Sequence, residues 1–422
     1  MHTSYHEKWK ALSAAVYAKG ADGDAFVEAM KDYYEAFDDE VLTWFAKLYD
    51  SKTGGFYYSN SARDNDTVEF QGNTYELKPD IESTLQALNC LVHTKVIPSL
   101  RSLPEKMRNQ IIAFVHSLQE EKSGYILHPQ WGTLAGDARR GRDLTWAKFL
   151  MSELGSQLPY ALPGESKKIE SGEPKVKMGL PKHLESKEAF ISYLEALEWT
   201  TGTKCYINGN LINAQIATIK MAGLIDVAVE FFNGIQNVET GFWGSDVDYN
   251  AVNGYMKITT VYVSAGMPIP HIKKALGSIL DCLSSDTEVA PVTWQYNAWF
   301  SIRNVVASLR KCGDEGNKMA DEIVREALIG APRALRATKK KVLALKKEDH
   351  AFSYYPHRAA PYSQGMPVCI PDTPEGDVNA TAIAIGGTLI CIYEALEIDD
   401  YIVCPFSDGA YERFLKALNF DE

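Results

Sequence analysis

The sequence predicts an all-α protein: an (α/α)6 toroid in which six helical hairpins close into a ring, with long loops on the funnel side. One unit recurs along the chain, consisting of an amphipathic helix, a turn of glycine and aromatic residues, an Asp or Asn, and a second helix. The second helix of each unit is the more apolar one, as expected for an inner ring that is buried on most sides. Alternating patterns typical of strands are scarce, so sheet-based folds are not expected.

The clearest copy of the unit covers residues 228–266. Its first helix ends near Gln236, and a turn with the sequence Gly-Phe-Trp-Gly follows. The segment from Asp246 to Asn253 comes next, and the second helix that follows stops at Gly266, a suitable C-terminal glycine. The other five copies have first helices within 41–58, 111–126, 191–207, 272–283 and 339–356, and second helices from Asp80, Asp143, Asn208, Tyr296 and Asp377.

The predicted ring is a single domain, because it needs all of its hairpins. The sequence predicts a helical extension over residues 1–40 and one toroid domain over 41–422. Residues 156–183 are polar and contain several prolines, so they are expected to form a long loop. Residues 333–347 are strongly basic but keep Leu and Val at helical spacing, which predicts the solvated face of an outer helix.

The bulk composition excludes several classes of partner. Hydrophobic residues make up 45% and charged residues 23% of the 422-residue chain, as is typical of a folded globular protein. A net charge of −12 disfavours nucleic acid as a partner. No apolar run is long enough to predict a membrane span, the N-terminus does not resemble a secretory signal, and the seven cysteines lack paired spacing. We therefore expect a cytoplasmic protein with reduced thiols, of undetermined oligomeric state.

The residues suited to chemistry gather where the second helices begin. If those helices start at one end of the ring, their N-termini form a mildly electropositive mouth. We select Asp248, Asp377, Tyr249 and His357 as candidate catalytic residues. The candidate substrate-binding residues are Asp80, Asp246, Asn250, Asn253, Asn297, Asn379, Tyr57, Tyr296, Trp131, Trp243, His128 and Arg358. Asp and Asn at helix starts are equally well explained as N-caps.

Two kinds of saccharide cleavage fit these residue types, and the sequence does not choose between them. Hydrolysis needs two carboxyl groups on either side of the scissile bond, which Asp248 and Asp377 can supply. Elimination beside a uronic acid needs a Tyr or His as base and an Asn or Arg to neutralise the substrate carboxylate, a scheme that suits Tyr249, Asn250 and His357. The chain has no phosphate-loop, dinucleotide or metal-binding motif, so neither a cofactor nor a metal is expected.

The segments TGGFYY at 53–58 and KPDIESTLQALNCL at 78–91 resemble the repeats of the terpenoid cyclase and protein prenyltransferase toroids. The resemblance implies a six-hairpin toroid, a fold that many glycoside hydrolases and polysaccharide lyases also use. It further implies that residues 246–249, Asp-Val-Asp-Tyr, correspond to the Asp-x-Asp-Asp motif with which class II terpene cyclases protonate an alkene. Asp248 is then the middle acid, and Tyr249 stands where the last Asp is expected. The zinc site of the prenyltransferases has no complete counterpart, because Asp281-Cys282 lacks a suitable histidine downstream.

The leading hypothesis is a carbohydrate-active enzyme, a glycoside hydrolase or polysaccharide lyase, that cleaves an oligosaccharide in the funnel of the toroid. A terpenoid cyclase-like enzyme that uses the acid in Asp246-x-Asp248 is the first alternative, and it predicts a deep apolar cavity. The second alternative is a non-catalytic toroid that binds a glycan or peptide. All three expect a small-molecule or polymeric ligand rather than nucleic acid or a membrane.

Overall fold

The computed structural model of the chain describes residues 5–162 and 181–418. These residues are mostly helical, which confirms the all-α class. The first eight helices are α1 (Tyr5–Ala18), α2 (Gly23–Tyr34), α3 (Glu40–Leu48), α4 (Asn60–Asp64), α5 (Ile81–His93), α6 (Glu105–Leu118), α7 (Asp137–Leu154) and α8 (Lys187–Ala196). They are followed by α9 (Gly202–Met221), α10 (Ile225–Ile235), α11 (Tyr249–Ala265), α12 (Ile272–Ser284), α13 (Thr293–Leu309), α14 (Gly313–Leu343), α15 (Val378–Ala382, continued by the π-helical segment Ile383–Gly387 and by Thr388–Ala395) and α16 (Ala410–Ala417).

Three short antiparallel hairpins occur between these helices. They are β1 (Tyr49–Asp50) with β2 (Gly55–Phe56), β3 (Thr67–Phe70) with β4 (Asn73–Glu76), and β5 (Tyr362–Ser363) with β6 (Met366–Pro367). Of the long loop predicted at 156–183, residues 163–180 lie outside the described chain.

Helices occur at the positions predicted for both helices of each unit, with some shifted boundaries. We call α3, α6, α8, α10, α12 and α14 the first helices and α5, α7, α9, α11, α13 and α15 the second helices. Helices α5 and α11 begin directly after Asp80 and Asp248, which cap them by accepting hydrogen bonds from Ser83 N and Ala251 N. Helix α9 begins at Gly202, earlier than predicted, because Thr201 rather than Asn208 supplies the N-cap.

The repeat is visible in hydrogen bonds as well as in sequence. After α6, the Gln119 Nε2 atom donates to the Gly124 carbonyl (2.9 Å), and after α10, the Gln236 Nε2 atom donates to the Gly241 carbonyl (2.7 Å). The turn after α3 is bonded to a second helix instead: Thr84 Oγ1 on α5 accepts from the backbone N–H of Phe56 (3.0 Å). Thr381 Oγ1 accepts from Phe352 N in the same way (2.9 Å). These matched bonds fix each turn against its neighbouring helices.

Contacts join the second helices to one another. Helix α9 contacts α11, α11 contacts α13, α13 contacts α15, and α5 contacts both α15 and α7. Two hydrogen bonds show that α11 and α13 run parallel. Asn297 is bonded to Asn253 near the starts of the two helices, and Asn304 is bonded to Thr259 further along both. The first and last of the second helices are therefore neighbours in space.

The end of α14 differs from its prediction. The first helix of the last unit was expected within 339–356, but α14 is a 31-residue helix that ends at Leu343 and contains Pro332. The basic run at 333–347 was predicted to be solvated, yet Lys341 within it is buried. Its Nζ atom donates to the Tyr249 hydroxyl (2.6 Å) and to the Leu283 carbonyl (2.9 Å). These acceptors compensate the burial of the amine, which helical spacing alone does not reveal.

The N-terminal helices pack into the same core as the hairpins. Helix α2 packs on α14, and the hydroxyl of Tyr33 donates to the carbonyl of Ala384 within α15 (3.1 Å). Helix α15 is long and apolar enough to cross a membrane by length and composition, but 72% of it is buried inside the protein. Burial of this extent is typical of a core helix.

Candidate functional site

A cavity of about 860 Å³ lies between the second helices. All six of them contribute to its lining, together with the loop residues Tyr354 and Gln364. From α5, α7 and α9 the lining residues are Leu85, Gln86, Asn89, Cys90, His93, Arg142, Trp146, Tyr206, Asn210 and Asn213. From α11, α13 and α15 they are Met256, Lys257, Thr260, Thr293, Tyr296, Asn297, Phe300, Arg303, Asn379, Ala382, Ile383, Gly387, Ile390, Cys391 and Glu394. Most of these side chains carry a polar group, although the helices are largely apolar.

The polar groups form stripes along helices whose other faces are buried. On α5 the stripe is Gln86, Asn89 and His93, and on α9 it is Tyr206, Asn210 and Asn213. Residues three or four apart on a helix share one face, so each stripe faces the cavity over several turns. The cavity thus extends along the second helices, beyond the helix starts where the candidate residues were predicted.

Three cations and one carboxylate line the cavity among the described residues. Arg303 and Glu394 form an ion pair (Nε–Oε2 2.6 Å). Arg142 lies over the ring of Trp146 at 4.8 Å, and its Nη2 atom is 3.7 Å from a Glu82 carboxylate oxygen. The fourth charged group, Lys257 on α11, is half-buried. Burial, followed by repulsion from Arg142, lowers the pKa of Lys257.

His93 and Tyr296 lie beside the π-helical segment of α15. A Cβ atom placed on Gly386 would be 3.3 Å from the His93 Cβ atom, and one placed on Gly387 would be 3.4 Å from the Tyr296 ring. The two glycines therefore let α5 and α13 approach α15 closely, and π-helical segments are frequent at functional sites. Burial lowers the pKa of His93 to about 4, so its imidazole is neutral at pH 7, whereas burial raises the pKa of Tyr296.

Three of the residues predicted from the sequence line this cavity: Tyr296, Asn297 and Asn379. Asn253 supports one of them, because its side-chain oxygen accepts a hydrogen bond from the Asn297 amide (2.9 Å). Asn250, one turn earlier on α11, is half-buried and is not among the lining residues.

Asp246 and Asp248 cap two different helices. The Asp248 carboxylate accepts from Ala251 N (2.7 Å) at the start of α11, and the Asp246 carboxylate accepts from Gly202 N (2.7 Å) at the start of α9. Neither residue lines the cavity. Their carboxylates thus have a structural role that the resemblance to an acid motif does not require.

Two aromatic residues near these aspartates are fully buried. The Tyr249 ring stacks on Trp294 at 4.9 Å, and its hydroxyl accepts from Lys341. The Trp243 indole N–H donates to the Phe232 carbonyl (2.9 Å). The structure places both in the core between first and second helices rather than in the cavity lining.

Asp377 organises the loops that lead into α15. Its buried carboxylate accepts backbone hydrogen bonds from Ala380 (2.7 Å), Tyr354 (2.9 Å) and Ala360 (3.3 Å). Burial raises the pKa of Asp377 to about 7, and these hydrogen bonds act in the opposite direction. Asp377 does not line the cavity itself, but it holds the backbone of Tyr354, which does.

A separate buried cluster joins the starts of α5 and α7. The Arg139 guanidinium contacts the carboxylates of Glu82 (2.6 Å), Asp143 (2.8 Å) and Asp80 (3.6 Å). It also lies 5.0 Å from the centre of the Trp131 ring. We call these five residues the Arg139 cluster. His128 packs beside it, with its ring stacked on Trp131 at 3.8 Å.

The remaining predicted residues lie away from the cavity lining. Tyr57 lines a different groove, of about 750 Å³, beside the β3–β4 hairpin. His357 is exposed, and Arg358 forms an ion pair with Asp372. The structure therefore does not bring all the candidate residues together in one place.

Sequence reasoning missed most of the polar lining: His93, Asn210, Lys257 and Arg303 were not among its candidates. These residues lie in the middle or at the end of second helices, whereas the residues predicted from the sequence lie at or just before helix starts. The signal that could have found them is a polar residue repeated every three or four positions within an otherwise apolar helix.

Within residues 5–162 and 181–418, no group of three or more His, Cys, Asp or Glu is arranged to hold a metal ion. The cavity lining carries amides, hydroxyls, aromatic rings, one imidazole, the thiols of Cys90 and Cys391, and the charged groups described above. No protein-family model matches the chain, and neither a curated protein nor a solved structure does.

Proposed function

We propose that this chain is a carbohydrate-active enzyme that cleaves an oligosaccharide in the central cavity of a closed six-hairpin toroid. The observation that carries the proposal is the cavity itself, which all six second helices line with mostly polar side chains. Closure of the ring is supported by the contact between α5 and α15, the first and last of the second helices. The seven free thiols suit a reducing compartment such as the cytoplasm.

The lining provides the groups that recognise sugars. Five asparagines, Asn89, Asn210, Asn213, Asn297 and Asn379, offer both donors and acceptors to hydroxyl groups. Some are already oriented, since Asn213 accepts from the Thr260 hydroxyl (2.7 Å). A cavity of this volume is within the usual range for small-molecule sites and accommodates several sugar rings.

Aromatic rings stand among these polar groups. Trp146, Tyr206, Phe300 and Tyr354 come from three helices and one loop. Flat aromatic faces pack against the apolar C–H face of a sugar ring, while its hydroxyls reach the amides around them. Amides alternating with aromatic rings support a saccharide more than a wholly apolar ligand.

His93 and Tyr296 are the groups we propose for proton transfer. The neutral imidazole of His93 is able to accept a proton at pH 7, and the protonated hydroxyl of Tyr296 is able to donate one to a leaving oxygen. Both lie against the Gly386–Gly387 pair of α15, so they border the same part of the cavity. Glu394, held by Arg303, is a carboxylate that lines the cavity with them.

The two alternatives make different demands on this cavity. A terpenoid cyclase-like enzyme needs an apolar, aromatic-lined space, and it needs a free acid at Asp248. The lining is mostly polar and the Asp248 carboxylate caps α11, so neither feature favours that activity. A protein that only binds glycans would show the same lining without turnover.

The test is a turnover screen of the purified chain against neutral oligosaccharides, anionic oligosaccharides and prenyl diphosphates. Products are detected by mass spectrometry, and ultraviolet absorbance reports the unsaturated uronate that elimination produces. We expect cleavage of a saccharide by the wild type, and a loss of about 100-fold or more in kcat for His93→Gln and Tyr296→Phe. Circular dichroism checks that both variants stay folded.

Two results would contradict the proposal. Binding of saccharides without any cleavage would make the chain a glycan-binding protein. Turnover of a prenyl diphosphate, with no response to saccharides, would favour the cyclase alternative.

A further inference from the structure

We propose that the ligand of the central cavity is an anionic saccharide, whose negative group is held between Lys257 on α11 and Arg142 on α7. The inference rests on the proposed function and names its substrate class. Carboxylate and sulfate groups on sugars share the chemistry required, and the experiment below separates them.

Lys257 has no protein partner among the described residues. Among the described residues, no acceptor lies within hydrogen-bond or ion-pair distance of its ammonium group, although the side chain is half-buried. A buried amine normally has acceptors, as Lys341 does in this molecule. A charge that is partly desolvated and unpaired within a cavity is an unfavourable arrangement for stability alone, and an incoming anion relieves it.

Among the described residues that line the cavity, positive charges outnumber negative ones. Its lining contains Arg142, Lys257 and Arg303 against the single carboxylate of Glu394, while the whole chain has a net charge of −12. Arg303 and Glu394 compensate each other at 2.6 Å. Arg142 lies 3.7 Å from a carboxylate oxygen of Glu82, so the positive charge left without a partner among the described lining residues is that of Lys257.

Arg142 and Lys257 carry the same charge and line the same cavity. Burial lowers the pKa of Lys257, and the positive charge of Arg142 adds to this effect. Like charges placed together without an intervening acid are typical of sites for anions. Among the described residues, Glu82 is the ion-pair partner of Arg142: one of its carboxylate oxygens lies 3.7 Å from Arg142, and the other lies 2.6 Å from Arg139.

The position of Lys257 on α11 brings it near one of the proposed proton-transfer residues. Lys257 is one helical turn after Asn253, whose side chain accepts from Asn297, the residue next to Tyr296. An anionic group on Lys257 therefore lies along the same wall as Tyr296, one of the two proposed proton-transfer residues. A sugar bound there is oriented by its charge toward that part of the cavity.

The experiment measures binding by isothermal titration calorimetry to the full chain. The probes are oligogalacturonate and oligomannuronate for carboxylates, sulfated galactan oligosaccharides for sulfates, and neutral gluco- and manno-oligosaccharides of equal length. Each is titrated into the wild type, Lys257→Gln, Lys257→Arg and Lys274→Gln. Lys274 is an exposed lysine on α12, so its variant loses the same charge away from the cavity.

We expect an anionic probe to bind the wild type at least about 10-fold more tightly than the neutral probes, since charge-assisted hydrogen bonds are the stronger ones. Lys257→Gln should lose about 10-fold or more of that affinity, while Lys257→Arg and Lys274→Gln keep most of it. The uronate and sulfate probes then show which anion is recognised.

Neutral and anionic probes that bind equally, or a Lys257→Gln variant that binds the anion as well as Lys274→Gln does, would overturn the inference. Cleavage of a neutral saccharide in the turnover screen would leave the proposed function intact in that case. The absence of both binding and cleavage for every saccharide would overturn the two proposals together.

Discussion

The Arg139 cluster and the central cavity are two neighbouring regions that treat buried charge in opposite ways. In the cluster, one arginine is surrounded by three carboxylates and an indole ring, and its side chain is only 2% exposed. In the cavity, Lys257 has no acceptor among the described residues, and Arg142 has one carboxylate oxygen, of Glu82, at 3.7 Å. Compensated charge of the first kind holds two helix starts together, whereas uncompensated charge of the second kind is available to a ligand.

The largest effect should come from breaking the cluster. Arg139→Met removes the only cation in direct contact with Asp143 and Asp80 among the described residues, and leaves buried carboxylates without compensation. We expect a loss of about 3–5 kcal/mol in the free energy of unfolding, measured by urea denaturation at pH 8. Arg336→Met is the matched control, because Arg336 forms only an exposed pair with Glu28 at 3.9 Å. The control should lose at most about 1 kcal/mol. Equal losses in the two variants would refute the structural role of the cluster.

The contact between α5 and α15 should be the next most sensitive point. A Cβ atom at Gly386 would lie 2.9 Å from the Cα atom of Cys90, so Gly386→Ala forces the two helices apart. We expect a destabilisation of about 1–3 kcal/mol from this overpacking. At Gly277 on α12 nothing lies within 4 Å of the added atom, so Gly277→Ala should stabilise by up to about 1 kcal/mol. Similar changes in both variants, seen by thermal denaturation, would show that α5 and α15 are not in close contact.

The same cluster should also make stability depend on pH. Burial, and then repulsion from Asp80 and Glu82, raise the pKa of Asp143 to about 7, although Arg139 opposes this. Between the ordinary pKa near 4 and about 7, the folded state binds the Asp143 proton and the unfolded state does not, so this group makes stability fall as pH rises. The slope from this group is at most about 1.4 kcal/mol per pH unit. Urea denaturation of Asp143→Asn from pH 5 to pH 8 should show a smaller fall than the wild type, and an unchanged slope would contradict the assignment.

Much of the helical framework was predictable, because hydrophobic period, turns and caps are local signals. Asp80, Asp248 and Asp377 were expected at helix starts, and each caps the helix that follows it. The resemblance to an acid motif at Asp246 and Asp248 was less informative, since backbone N–H groups of two helices account for both carboxylates.

The site was harder to predict than the framework for a physical reason. Whether a polar side chain inside an apolar helix faces a cavity or a buried partner depends on neighbours that are distant in sequence. Lys257 and Lys341 illustrate this, since both lie on helices. In the structure, the amine of Lys341 contacts Tyr249 and Leu283, whereas that of Lys257 has no acceptor among the described residues. The Arg139 cluster likewise joins residues 57 positions apart, from Glu82 to Arg139.

The central claim is that chemistry occurs in the cavity rather than at the helix starts, and one pair of variants tests it most directly. Asp248→Asn keeps a side-chain acceptor that is able to cap α11, and His93→Gln changes a cavity group. Turnover of the saccharide found in the screen should stay within about threefold of wild type for Asp248→Asn and fall about 100-fold or more for His93→Gln. Loss of turnover in a folded Asp248→Asn variant, with His93→Gln fully active, would contradict the account and return the active site to the helix starts.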